Sequence, residues 1–155
     1  MRKIPLNPSL VEWTKPFRVL AKEKGIEIEL KIAETKDCWA NIDEVKFPWV
    51  LSNLLSNAIR IAPLQSKIEI SLTADPENIY LEVADEGPGI LPEIQKRIFD
   101  PYYQGPKLEG SQTKGFLGIG LTIAKEVVEA HEGSLEYFPR QPKGSLFRIK
   151  IPLSS

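Results

Sequence analysis

Apolar and polar residues follow two different periods along this chain, and the changes of period divide it into strands and helices. Strict alternation from Ile26 to Ile32 predicts a half-buried strand, and a shorter strand follows at residues 38–43. The segments KIEISLTA and NIYLEVAD alternate in the same way on either side of DPEN, which predicts a β-hairpin. A last pair of strands, SLEYF and SLFRIKI, flanks PRQPKG.

Helical spacing of apolar residues separates these strands. The segment RKIPLNPSL reads as a short strand and a turn that lead into the first helix. Asp43 is the predicted N-cap of the second helix, and Gly133 follows the end of the last one. The predicted helices cover residues 9–24, Asp43 to about Ala62, Pro92 to Ile98 and about Gly118 to His131, with a loop from about Asp100 to Phe116.

This order of elements predicts an α+β fold in a single domain, residues 1–155. Strands that follow one another in hairpins pair in an antiparallel sheet, and the helices between them must bury their apolar sides on it. We therefore expect a two-layer α/β sandwich, in which one mainly antiparallel mixed sheet is covered by helices on one face.

Composition and charge narrow the classes of function. The chain has 155 residues, of which 42% are hydrophobic and 26% charged, with a net charge of -1. This near-neutral charge argues against nucleic acid or an anionic membrane surface as partner. No apolar run approaches the roughly 20 residues that span a bilayer. The single Cys38 excludes an internal disulfide, and we expect a reducing, cytoplasmic setting.

The second predicted helix carries an unusual polar stripe in LSNLLSNAIR. Asn53, Asn57 and Arg60 fall within about 60° of one another on a helix, and Lys46 lies on the same stripe. An amide oxygen suits a hard cation such as magnesium, and a guanidinium suits phosphate. The alternative is that these side chains are helix surface without a task.

The motif VADEGPGI places Asp85 at the end of a predicted strand, with Gly87 and Gly89 directly after it. A carboxylate there can accept a hydrogen bond from an exocyclic amine, and glycines let the backbone approach a flat ligand. A plain turn is the alternative reading, because D-x-G is common in turns.

The motif GFLGIGL opens the last predicted helix through Gly118 and Gly120. Glycines at a helix start expose N–H groups and the positive end of the helix dipole, which suits phosphate. The alternative is a tightly packed junction between a loop and a helix. Neither glycine motif is a P-loop, because G-x-x-x-x-G-K-[ST] is absent.

The order of these motifs resembles the ATP-binding catalytic domain of sensor histidine kinases. These domains have the Bergerat-type fold of the superfamily that includes gyrase, heat-shock chaperone and mismatch-repair ATPases. DEVKFPWVLSNLLSNAIR is similar to the N box of that family, DEGPGI to its G1 box, IFDPYYQ to its F box and GIGLTIAKEVVEAHEG to its G2 box. GSLFRIKIP resembles its terminal strand, so the likeness covers nearly the whole chain.

The resemblance implies ATP and Mg²⁺ as ligands. Asp85 would bind the adenine amino group, with Ser145 supporting it through a water. Asn57 would coordinate magnesium and, with Arg60, serve catalysis, and residues of about 101–117 would form the ATP lid. The implied nucleotide-binding set is Asn53, Asn57, Arg60, Asp85, Gly87, Gly89, Ile90, Phe99, Lys107, Lys114, Gly118, Ile119, Gly120, Leu121 and Ser145.

Two departures from the family pattern affect the lid and the phosphate side. Phe116 and Leu117 stand before Gly118, where the family often has G-T-G, and with fewer glycines we expect a stiffer lid hinge. Ile61 replaces an aromatic residue that often follows the cation, so one nucleotide contact is expected to be missing.

Asn53 bears on the reaction. In the hydrolases of the superfamily a glutamate at this place activates water, whereas an amide has no useful basicity near pH 7. Transfer of the γ-phosphate to a histidine is therefore the leading interpretation. The alternatives are a serine kinase of the anti-sigma-factor type, a nucleotide sensor and, least favoured, a free-standing hydrolase.

His131 is the only histidine, and with Glu132 it matches the start of the family's acceptor motif. Because Gly133 follows at once, we expect His131 to be structural, serving the C-terminus of its helix. The acceptor would then lie on the dimerisation and histidine-phosphotransfer domain of the same protein, which is absent from these residues. We expect this domain to be a monomer and the full-length protein to be a homodimer that acts on a response regulator. Whether the full-length protein is anchored in a membrane is left open by the sequence.

Overall fold

The computed structural model describes residues 1–32, 36–101 and 119–154. Three α-helices and seven strands are present in this part of the chain, with one short 3₁₀ turn at Gln95–Arg97. The helices are α1 (Leu6–Glu23), α2 (Lys46–Ile61) and α3 (Ile119–Ala130). The strands are β1 (Arg2–Pro5), β2 (Glu27–Ile32), β3 (Trp39–Ile42), β4 (Lys67–Ala74), β5 (Asn78–Asp85), β6 (Ser134–Pro139) and β7 (Ser145–Pro152).

Five of the strands form one mixed sheet in the order β2-β4-β5-β7-β6. The β2–β4 pair is parallel, and the other three pairs are antiparallel. Alternate residues of β4 and β5 are buried, including Ile68, Ile70, Leu72, Ile79, Leu81 and Val83. The α+β class, the mixed sheet and its mainly antiparallel pairing are therefore as the alternation predicts.

The second helix supplies much of the layer that covers this sheet. Its apolar side is buried through Phe47, Val50, Leu51, Leu54, Leu55, Ala58 and Ile59. At its start the Asp43 carboxylate accepts hydrogen bonds from the N–H groups of Val45 and Lys46, at 3.0 and 2.9 Å. These bonds lower the pKa of Asp43 and tie it to the turn that leads into α2, but the N-cap position falls on Val45, so the predicted cap at Asp43 comes too early.

The first helix begins at Leu6, so the predicted turn in NPSL is wrong. Pro8 falls in the first turn, where its missing N–H would have no intrahelical partner, so the helix tolerates it. The N–H of Leu6 at this helix start donates to the carbonyl oxygen of Cys38 at 2.8 Å, and the side-chain oxygen of Asn7 accepts the Cys38 N–H at 2.6 Å. Asn7, Pro8 and Ser9, which are typical turn residues, therefore lie in the first turn of a helix.

A second, two-stranded sheet of β1 and β3 was not expected. The pairing runs from Arg2 opposite Ile42 to Pro5 opposite Trp39. The predicted helix from Pro92 to Ile98 is also shorter, because only the 3₁₀ turn forms there. No helix in the described ranges has the length and hydropathy needed to cross a bilayer.

Candidate functional site

Asp85 lies at the end of β5, and the residue is 3% exposed. Its Oδ1 accepts the N–H of Gly87 at 2.8 Å, and it also accepts the backbone N–H of Ser145, which stands opposite it on β7. Burial raises the pKa of Asp85 to about 6, although the two N–H groups and Arg140 act in the opposite direction. The hydrogen bonds and Arg140 therefore do not offset the full cost of burying this carboxyl group. A buried acid of this kind at the end of a strand is a candidate for binding a ligand.

Glycine is required after Asp85 for two different reasons. A Cβ on Gly87 would lie 2.9 Å from Oδ1 of Asp85 and 3.3 Å from the carbonyl oxygen of Ile61, so this residue allows α2 and the carboxylate to approach. Gly89 has a φ of 76°, and its Cβ would lie 3.1 Å from the carbonyl oxygen of Gly144. The turn is therefore fitted against two neighbouring elements.

The polar stripe of α2 forms as the helical spacing predicts. The Nη2 of Arg60 donates to Oδ1 of Asn57 at 3.0 Å, which shows that this amide oxygen is accessible to a cationic group. Asn53 contrasts with it, because its Nδ2 is buried and has no hydrogen-bond partner in the described part of the chain. A buried amide without a partner is costly, so a polar ligand at this point would satisfy it.

Gly120 brings the start of α3 against this amide. A Cβ on Gly120 would lie 3.2 Å from Nδ2 and 3.3 Å from Oδ1 of Asn53. The asparagine stripe and the second glycine motif, which are 67 positions apart in the sequence, therefore meet in space. Gly87 and Ile61 connect the end of the same helix to Asp85, so the candidate site runs along α2 from Asn53 at the start of α3 to Ile61 at the end of β5.

The other predicted site residues divide into three groups. Ser145 lies beside Asp85, as expected, and is 1% exposed. Ile90 and Leu121 are buried in the core, and Phe99 is half-buried with its ring 6.5 Å from that of Phe147 and under the ammonium of Lys125. Lys107, Lys114, Gly118, the side chain of Ile119 and the predicted lid, apart from Pro101, lie outside the described residues.

Three further residues support the site without having been predicted. The hydroxyl of Tyr137 accepts the N–H of Ile90 at 3.1 Å, and Nη1 of Arg140 donates to the backbone oxygen of Asp85 at 3.1 Å. Thr122 contacts the carbonyl oxygens of Phe99 and Asp100 at 3.0 and 2.9 Å. The sequence shows that Tyr137 lies in the last hairpin, but it does not show that the hydroxyl of Tyr137 bonds to Ile90.

His131 is buried at 5% exposure, away from Asp85 and at the end of α3. Its Nδ1 lies 2.8 Å from the carbonyl oxygen of Val127, and its Nε2 accepts the N–H of Asp43 at 3.0 Å. The expectation that this histidine is structural and serves its helix end is confirmed.

Residues 42–155 match the family model described as histidine kinase-, DNA gyrase B- and HSP90-like ATPase. The chain therefore belongs to this ATPase family, and ATP is the nucleotide that the family implies. Among curated relatives, the sensor histidine kinase TmoS of Ectopseudomonas mendocina is 33% identical over 140 residues, which are 90% of this chain and 14% of TmoS. The sensor protein CiaH of Streptococcus pneumoniae serotype 4 is 34% identical over 113 residues, 73% of this chain and 25% of CiaH.

The solved catalytic domain of histidine kinase ThkA has the same fold. It is 25% identical, with a TM-score of 0.85, and the likeness covers 99% of this chain and 98% of that domain. A second structure holds ThkA in complex with the response regulator protein TrrA; there the TM-score is 0.82 at 24% identity, over 99% of this chain and 42% of the other. The chain thus has the size of an isolated catalytic domain and spans a quarter or less of the two curated relatives.

Proposed function

We propose that residues 1–155 are the ATP-binding catalytic domain of a sensor histidine kinase. In this proposal the domain binds ATP and transfers the γ-phosphate to a histidine of a separate dimerisation domain. A ring nitrogen of that histidine attacks the γ-phosphorus, a P–N bond forms, and the bond to the bridging oxygen breaks so that ADP leaves. TmoS is named a sensor histidine kinase and ThkA a histidine kinase, so the serine-kinase alternative is not favoured.

The observation that carries the proposal is that α2 lies against the turn after Asp85 through Ile61 and against the start of α3 through Asn53. Asp85 presents a buried carboxylate that is held by backbone N–H groups, so it is fixed in place to accept from an exocyclic amine. Asn53 presents a buried amide N–H with no partner among the described residues, which suits a phosphate oxygen. A purine recognised at one end and a phosphate chain at the other fit this pair.

The residues also fit a magnesium ion. Asn57 offers a neutral amide oxygen that already accepts from the guanidinium of Arg60, and such an oxygen is a suitable ligand for a hard cation. When bound, magnesium would neutralise charge on the phosphates during transfer. Arg60 would then turn from Asn57 towards the phosphates, because both cations cannot share one side of the amide oxygen.

Phosphoryl transfer is favoured over hydrolysis because Asn53 cannot act as a base. An amide neither gains nor loses a proton near pH 7, so it does not activate water. The domain would act by positioning and by charge, and the attacking group would come from its partner. Lys107, Lys114 and Gly118 remain proposed contacts of the phosphates, and Gly87, Gly89, Ile90 and Phe99 remain proposed walls of the nucleotide site.

The partner domains are proposals as well. We propose that the acceptor histidine lies on the dimerisation domain of the same protein and that a response regulator receives the phosphate afterwards. The full-length protein would be a homodimer, whereas residues 1–155 alone would be a monomer. We also propose a cytoplasmic location for this domain, where ATP is available.

Labelled ATP tests the function directly. With [γ-³²P]ATP and magnesium, residues 1–155 should neither label themselves nor release phosphate at steady state. Added histidine-bearing dimerisation domain of the same protein should gain a label that is stable in alkali and lost in acid, as expected of a P–N bond. The N57A variant should abolish this transfer, while S56A, which changes the exposed neighbouring side chain, should retain it. Steady-state phosphate release that N57A abolishes would instead identify a hydrolase.

A further inference from the structure

The last hairpin of the sheet, β6 and β7, is tied to the turn from Gly87 to Ile90 by side chains as well as by the sheet. The hydroxyl of Tyr137 on β6 accepts the backbone N–H of Ile90 at 3.1 Å. The same hydroxyl lies 3.3 Å from Oγ of Ser145, at the start of β7. Ser145 in turn donates its backbone N–H to the Asp85 carboxylate.

The ring of Tyr137 is fixed by its surroundings. It stands opposite Phe147 in the β6–β7 register, and the two rings meet edge to face with centroids 5.3 Å apart. Arg140, near the end of the hairpin, adds a second tie by donating to the backbone oxygen of Asp85. The hydroxyl therefore has a defined position relative to both Asp85 and the turn.

The hydroxyls of Tyr137 and Ser145 carry two protons, but only one hydrogen bond runs between them. The Ser145–Tyr137 contact uses one hydroxyl proton, in whichever direction it runs, and the two groups carry two. Among the described residues no acceptor takes the second proton. One donor beside the Asp85 carboxylate is therefore left for a ligand.

A carboxylate next to a hydroxyl donor is complementary to one kind of purine edge. The carboxylate accepts from an exocyclic amine, and the donor meets an unprotonated ring nitrogen beside that amine. Adenine has this pair, whereas hypoxanthine has a carbonyl and a ring N–H in the same places, so its donor and acceptor are exchanged. A misplaced hydroxyl would reduce this discrimination.

We propose that Tyr137 is a positioning residue that sets the preference for adenine, because its hydroxyl holds both the Ile90 backbone and the Ser145 hydroxyl. It acts by holding these two groups in place beside the Asp85 carboxylate. This inference rests on the proposed function, since it concerns how the same site selects its base.

The Tyr137→Phe variant keeps the ring and its packing on Phe147 and removes only the hydroxyl. Calorimetric titration with ATP and with inosine triphosphate should show ATP binding weakened by about 3- to 10-fold, the effect of one lost hydrogen bond, with a smaller change for inosine triphosphate. The ratio of the two affinities should fall. Ser145→Ala should lower the ratio similarly, and the losses in the double variant should be less than additive, because the two hydroxyls share one contact while the Ile90 tie depends on Tyr137 alone.

Tyr80→Phe is the matched control. It also removes a tyrosine hydroxyl, one that donates to Oδ2 of Asp75 at 2.8 Å in the distant β4–β5 hairpin. It should leave the ratio of affinities unchanged. An unchanged ratio of affinities in Tyr137→Phe, whether both nucleotides bind equally more weakly or neither is affected, would overturn the proposal and leave Tyr137 a packing residue.

Amide hydrogen exchange without nucleotide separates this inference from the function on which it rests. The Ile90 N–H should exchange faster in Tyr137→Phe than in the wild type or in Tyr80→Phe, while the most protected amides of β5 stay unchanged. If the wild type binds neither nucleotide, the proposed function and the adenine preference both fail. Unchanged Ile90 exchange would refute the tie by Tyr137 even in a domain that binds ATP.

Discussion

The backbone N–H of Asp43 donates to Nε2 of His131 at 3.0 Å, and this bond joins the start of α2 to the end of α3. The opposite ring nitrogen, Nδ1, then carries the proton that Val127 accepts. The ring also meets Phe47 edge to face, with centroids 5.2 Å apart. With both nitrogens engaged and the side chain buried, His131 is not available as a phosphate acceptor.

Replacing His131 with alanine should therefore reduce stability without removing transfer. The variant loses two hydrogen bonds and leaves a cavity beside Phe47, so we expect the free energy of unfolding to fall by about 2–4 kcal/mol in urea denaturation. Glu129→Ala, an exposed change on the same helix, should cost less than about 0.5 kcal/mol. Loss of labelling on an added dimerisation domain, with the variant still folded, would contradict a structural role.

Replacing Asp85 with asparagine should weaken ATP binding severely and leave the fold intact. A hydrogen bond to a charged group contributes about 1.5–3 kcal/mol, which corresponds to about a 10- to 150-fold loss of affinity in calorimetry. Glu82→Gln is the control on the same strand, because Glu82 lies on the other face in an ion pair with Arg148 at 2.6 Å. Affinity equal to that of the wild type would remove Asp85 from the site.

The parts of the site that sequence could predict are those set by local geometry. Asp85, Gly87 and Gly89 are adjacent in the chain, and helical spacing alone brings Asn53 and Asn57 to one side of α2. The strands of the main sheet were similarly visible, since alternation marks a strand with one buried face.

The parts that could not be predicted depend on how distant strands pair. The bond from the Ile90 N–H to Tyr137 spans 47 positions, and the bond from Arg140 to the backbone of Asp85 spans 55. Both require the β5-β7-β6 order, which periodicity does not contain. The β1–β3 sheet was missed for the same reason, because neither short strand shows which partner it takes.

The buried carboxylate makes stability depend on pH in a defined direction. Burial raises the pKa of Asp85 from 3.8 to about 6, so the folded state holds this proton more tightly than the unfolded chain. The resulting stabilisation is complete below pH 3.8 and is lost as the pH rises through about 6, for a total of about 3 kcal/mol.

Urea denaturation between about pH 3.5 and about pH 8 checks this effect, because that range brackets the pKa of Asp85 in the unfolded chain and in the folded state. The difference in unfolding free energy between the wild type and Asp85→Asn isolates it, because the other carboxylates titrate in both proteins. The wild type should lose stability relative to the variant as the pH rises. A constant difference, or one of the opposite sign, would show that the pKa of Asp85 is not raised in the folded state.

Gly120→Ala should separate nucleotide binding from stability. Alanine favours a helix over glycine, so the melting temperature should stay the same or rise. Its Cβ, however, would lie 3.2 Å from Nδ2 of Asn53 and displace that amide by a few tenths of an ångström. We expect ATP affinity to fall by about 3- to 10-fold, the cost of one impaired hydrogen bond.

The Asn53→Ala background provides the control for this substitution. If Gly120 acts on ATP through the amide of Asn53, Gly120→Ala should have little further effect once that amide is removed. Calorimetry on the two single variants and the double variant measures the coupling between them. Fully additive losses would mean that Gly120 serves the nucleotide by another route, since the close contact between these residues would then be unrelated to binding.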